Sequence, residues 1–90
     1  MSEDPWGPVR AKLKAKVIEQ INRHRAVDPN TNAKKMVELQ IRLEKETFKK
    51  RLKRIEDGEV EDQDGTRELM LRLTMDHVLP EVEQQLKRQF

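Results

Sequence analysis

Residues 33–55 read AKKMVELQIRLEKETFKKRLKRI, a stretch of roughly 35 Å as a helix at ~1.5 Å per residue, and its pattern decides the architecture. The apolar residues fall three and four apart, which is helical spacing and not the alternation of a strand. They form two bands on the helical wheel: Met36, Leu39 and Leu43 in one, Val37, Ile41, Phe48, Leu52 and Ile55 in the other. A helix with two adjacent apolar bands is expected to touch two neighbours, so this segment reads as the central helix of a bundle.

Working outward, Asp28-Pro29-Asn30-Thr31-Asn32 is a turn, with Thr31 or Asn32 placed to cap the central helix. Before it, Val9, Leu13, Val17 and Ile21 recur every fourth residue, with Ile18 widening the stripe, and Pro8 suits a first helical turn. This predicts helix 1 at about 8–25, after a lead-in over 1–7 that carries Trp6. Beyond the central helix, Gly58 and Gly65 flank an acidic loop expected at 56–65. A third helix is predicted at about 66–79, opened by Thr66 as N-cap and carrying Leu69, Met70, Leu71, Leu73, Met75, Val78 and Leu79. Apolar on most sides, it is expected to be the most buried helix. Pro80 lacks a backbone N–H and disfavours helix at Leu79, so a stop or kink is expected there. A short last helix then follows over 80–89, with Glu81 and Glu83 at its start and Lys87 and Arg88 at its end to complement the helix dipole. The fold class is therefore all-α: a three-helix bundle with a short C-terminal helix after a proline kink, in one domain over 8–90.

Composition narrows the functions. The 90 residues hold 19 Lys and Arg against 17 Asp and Glu, 40% charged residues and only 34% hydrophobic ones. Such a chain supports thin amphipathic elements around one small core, and no enclosed cofactor pocket is expected. With no Cys there is no disulfide, thiolate metal site or Cys nucleophile. The lone serine is Ser2, and His24 and His77 sit in different helices without a motif around either, so an enzyme is not expected. No cofactor or metal is expected; read as a calcium loop, the acidic segment puts Asp62 where the sharp turn needs Gly. The start lacks a basic n-region and apolar h-region, and the longest apolar run is three residues, Leu69-Met70-Leu71, so no membrane association is expected.

The near-neutral total hides an uneven distribution. Six basic residues face Glu19 alone between Arg10 and Arg25, and nine face three acids between Lys34 and Arg54. Glu56, Asp57, Glu59, Glu61, Asp62 and Asp64 then follow with no base among them. Basic helices attract acidic partners, and Lys49-Lys50-Arg51-Leu52-Lys53-Arg54 is dense enough to draw phosphates. Yet Trp6, Phe48 and Phe90 are the only aromatic residues, too few for base-stacking platforms. Surplus apolar residues beside basic faces suit a different ligand, an acidic amphipathic segment that folds as a helix on docking.

Three short motifs resemble those of KIX domains, the activator-binding modules of transcriptional coactivators and of the Mediator tail. Val9-Arg10-Ala11-Lys12-Leu13, just after Trp6, is similar to the family's Arg-x-x-Leu/Val opening. Leu43-Glu44, followed four residues on by Phe48-Lys49-Lys50, is similar to its Glu-x-x-x-Phe/Tyr pattern, and Thr66-Arg67-Glu68-Leu69 stands where the family has Thr-Arg-Asp-Glu-Tyr-Leu. The family's helix-3 tyrosine is missing, Leu69 being nearest, and the acidic loop is longer than the usual connection. The resemblance implies a nuclear protein-interaction adaptor of the transcription machinery, binding activation segments of transcription factors. A second likeness, through Arg23-x-Arg25 and Asp28-Pro29, is to the SRI domain, which implies binding of the phosphorylated RNA polymerase II tail. Nucleic-acid binding through the basic helices is the third reading. A monomer is expected, with a groove between helices 1 and 3 closed at one end by helix 2. Leu13, Val17, Ile21, Leu69 and Leu73 would supply its apolar contacts, some as core and some as groove floor, and Lys12, Lys16, Lys49, Lys50 and Arg51 would meet the partner's acids.

Overall fold

The computed structural model describes residues 5–90, and it is all-α. Residues 1–4 of the expected lead-in lie outside the described residues. Helix α1 runs Gly7–Val27, α2 Ala33–Glu56, α3 Thr66–Leu73 and α4 Leu79–Gln89, with a π-helical turn over Thr74–Val78 joining the last two.

Local chemistry explains each boundary. Pro8 sits in the first turn of α1, and the helix ends at Asp28, whose extended φ of −132° is the conformation favoured before Pro29. The Asp28 carboxylate accepts from the Asn30 N–H at 3.0 Å, and Asn32 caps α2 by accepting from the Lys35 N–H at 3.2 Å. At the far end of α2 the Glu59 N–H reaches the Arg54 carbonyl at 2.9 Å and the Gly58 N–H reaches Ile55 at 3.1 Å. This is a Schellman cap, and Gly58 at φ +78° supplies its left-handed residue. Thr66 is not the cap of α3. Gly65 holds that position at φ +73°, and the loop's acids satisfy the free N–H groups: Asp62 accepts from Arg67 and Glu68, both at 3.0 Å, and Asp64 from Thr66 at 3.0 Å. The Thr66 N–H holds the Asp64 carboxyl below its ordinary range.

Pro80 does not stop the helix. The Leu79 N–H bonds to the Thr74 carbonyl, five residues back, and this wider turn carries the chain past a residue that has no N–H to donate. The Thr74 hydroxyl adds a 2.7 Å bond to the Met70 carbonyl. Residues 66–89 thus form one continuous helical run antiparallel to α2.

The core gathers Leu13, Val17 and Ile21 of α1, Val37, Ile41 and Leu52 of α2, and Met75, Val78, Leu79, Val82 and Leu86 of the last run. Helix α1 packs on α2 and α4, while α3 packs on α2. Ion pairs join the same elements: Arg10–Glu81 at 2.9 Å between α1 and α4, Lys87–Glu38 at 2.7 Å between α4 and α2, Arg72–Glu56 at 3.3 Å between α3 and α2, and Lys16 to the nearly buried Glu44 between α1 and α2. The Lys87 ammonium lowers the Glu38 carboxyl from its ordinary value, and that hydrogen bond raises Lys87 in turn.

Two expectations about burial need correction. The helix expected at 66–79 is buried only in its second half, at Thr74, Met75, Val78 and Leu79, whereas α3 contains no buried residue and packs chiefly on α2. Of the Met36 band of α2, Met36 packs half-buried against the core, whereas Leu39, 41% exposed, and Leu43, 50% exposed, remain open. The molecule measures 47 × 37 × 16 Å with a radius of gyration of 15.0 Å, against about 12 Å for a compact chain of this length.

Candidate functional site

Where α1 leaves the hairpin uncovered, a groove of about 530 Å³ opens between the second half of α2, the acidic loop and α3. Helical spacing builds both walls. Arg51, Arg54 and Ile55 are three and four apart on α2, and Arg67, Met70, Leu71 and Thr74 repeat that interval on the facing run. Ile55, Val60 and Leu71 are half-buried and line the apolar part, while Met70 is 40% exposed at its edge. Arginines stand on both walls: Arg51, its guanidinium 5.5 Å from the centre of the Phe48 ring, Arg54, 3.3 Å from Glu59, and Arg67. Oily floor and guanidinium rim together suit a ligand that is apolar on one face and anionic on its flanks.

Two other hollows have a different chemistry. One of about 310 Å³, on the α2–α4 side, has Ile41, Met75 and Leu79 as floor and both charge signs on its rim, Glu38 and Glu83 with Arg42 and Lys45. Its three floor side chains are already buried, which leaves little apolar surface to gain. The other, of about 490 Å³, lies against the acidic loop and is lined by Glu61, Asp62, Asp64 and Arg67 among others.

The residues expected to form one groove between helices 1 and 3 do not come together there, because α1 packs against α2 and α4. Leu13, Val17 and Ile21 are sealed in the core at 7%, 1% and 0% exposure. Leu73 is half-buried and Leu69 is 56% exposed, on a helix that packs chiefly on α2. Among the basic residues, Lys12 and Lys50 are exposed, Lys16 is engaged with Glu44 and Lys49 lies 3.6 Å from Glu46. Only Arg51 of the expected set lines the observed groove. Arg54, Ile55, Val60, Arg67, Met70 and Leu71 are the additions. Their signal in the sequence is the basic run's continuation to Arg54 and the spacing Arg67-x-x-Met70-Leu71.

His24 and His77 are exposed, on α1 and in the π turn. Among the described residues no group of three or more His, Cys, Asp or Glu is arranged to hold a metal ion, and no helix is long and apolar enough to cross a membrane. No protein-family model, curated protein or solved structure matches this chain.

Proposed function

We propose that this chain is a non-enzymatic helical adaptor that receives an acidic amphipathic helix in the groove between the second half of α2 and α3. The observation that carries the reading is the pairing of exposed Met70 and half-buried Ile55, Val60 and Leu71 with arginines from both walls around a cleft of about 530 Å³. A docked helix would place its apolar face on Ile55, Leu71 and Met70 and its acids against Arg51, Arg54 and Arg67. It would also cover the open side of α3. With the KIX resemblance, that helix is an activation segment of a transcription factor and the setting is nuclear. The partner helix must order on binding, so micromolar affinity is expected, about −8 kcal/mol.

Nucleic acid and a phosphorylated polymerase tail fit less well, because phosphate gains nothing from the apolar floor of Ile55, Val60 and Leu71, which an amphipathic helix would cover. Titration with an acidic amphipathic peptide, a doubly phosphorylated polymerase-tail peptide and random duplex DNA separates the three. The acidic peptide should bind tightest and keep most of its affinity in moderate salt, since apolar contact carries it, whereas DNA binding should collapse. Met70→Asp should weaken the peptide by at least about ten-fold while leaving the helical content intact, since a charge would enter an apolar contact. Binding of DNA alone would overturn the proposal.

A further inference from the structure

The acidic loop contains, in miniature, the pattern that the groove is proposed to read. Glu59-Val60-Glu61 is an apolar residue flanked by two carboxylates, and Val60 already lines the groove, half-buried. Glu59 is anchored through its backbone, while its side chain is largely exposed. Its N–H is bound to the Arg54 carbonyl at 2.9 Å in the Schellman cap, and its carboxylate lies 3.3 Å from the Arg54 guanidinium. Glu61 lines the acidic hollow beside Arg67. Three of the other four loop acids have separate tasks: Asp62 and Asp64 cap α3, and Glu56 pairs with Arg72.

From this arrangement we infer that Glu59-Val60-Glu61 is a built-in competitor, a tethered mimic of the acidic ligand that occupies the loop end of the groove and sets a ceiling on affinity. This rests on the groove reading and deepens it. Arg51, stacked near Phe48 at the opposite end, stands clear of the loop and is the first contact for an incoming acid; Arg54 becomes available as a partner carboxylate replaces Glu59, while the Arg67 guanidinium, beside Glu61 but in no ion pair with it, is open throughout. Because the loop is tethered, its local concentration is high although each exposed ion pair is weak. The device selects partners that carry several acids and an apolar anchor together, since a single acid gains nothing by exchanging with Glu59.

The test compares E59Q and the double variant E59Q/E61Q with the intact chain. Affinity for a fluorescein-labelled peptide with Leu and Phe on one face and Glu and Asp on its flanks is the readout. The control is E19Q, which removes one negative charge from α1, where Glu19 pairs with Arg23 at 2.7 Å, away from the groove. E59Q should bind about two- to five-fold tighter and the double variant tighter still, with E19Q close to the intact chain. Equal affinities for E59Q and the intact chain, or an equal gain from E19Q, would overturn the inference. If Met70→Asp abolishes binding while E59Q changes nothing, the groove stands and the competitor falls. If neither the intact chain nor E59Q binds the peptide, both fall.

Discussion

The two ends of the long helical hairpin are made of similar amphipathic material and end up in opposite states. At one end, α1 covers the inner faces of α4 and of the first half of α2, where Ile21, Val37, Val82 and Leu86 are completely sealed while Leu39 and Leu43 on the outer face of α2 stay exposed. At the other, the second half of α2 and α3 have no third helix over them, and Met70 and Leu69 meet solvent. The difference is one of coverage and not of side-chain type. A leucine on α3 is as oily as one on α4, but the hydrophobic effect is realised only where a second surface arrives to exclude water. The open end is thus the part of the fold still able to gain by binding.

The strongest challenge to this contrast is a matched pair of truncations. Ile21→Ala should cost about 2–4 kcal/mol, because a fully sealed side chain leaves a cavity. Met70→Ala, at a site 40% exposed, should cost about 1 kcal/mol or less. Urea unfolding of the two variants measures both, and equal losses would mean that the open end is packed like the sealed one. A smaller and more local effect is expected of Asp62→Ala. Two N–H groups of α3 lose their acceptor, stability falls by about 1 kcal/mol, and amide exchange should quicken at Arg67 and Glu68 while the α1 amides stay as they were.

The smallest effect concerns pH. Because Asp64 is held below its ordinary value by the Thr66 N–H, its contribution is complete above that ordinary value and is lost as pH falls through the lowered one. Glu38, lowered by Lys87, follows the same direction at the sealed end, whereas the contribution of Lys87 is complete below the ordinary lysine range and fades as pH rises through its raised value. The Thr66 amide shift should therefore titrate with a midpoint below that of an unperturbed aspartate, and a midpoint at or above it would remove the cap from this account.

Much of the architecture is legible in the amino acids. Pro8, Asp28-Pro29, Asn32 and Gly58 mark helix ends by chemistry that acts within a few residues, and the four-residue stripe Leu13–Val17–Ile21 is buried as its spacing requires. What escaped depends on tertiary placement or on one-residue register. The run from Leu69 to Leu73 reads the same whether a helix covers it or a partner is awaited, so its exposure followed from where α1 lies and not from its composition. Leu39 and Leu43 misled for the same reason. Pro80 signals a break, and only the extra residue of the π turn, which leaves no mark in the sequence, lets the helix continue. Thr66 resembles an N-cap, but the left-handed Gly65 swings Asp62 and Asp64 into that role. The site shifted accordingly: Arg51 was readable from the basic run, whereas its opposite wall, Arg67 and Met70, needed the hairpin to be closed.

The most direct trial of the central claim is an amide shift map of the chain as the acidic amphipathic peptide is added. The account predicts that the perturbed residues cluster at Arg51–Ile55, around Val60 and along Arg67–Thr74, with the sealed face of α1 at Leu13, Val17 and Ile21 unmoved. Shifts concentrated on α1 and α4, with the hairpin tip silent, would contradict it.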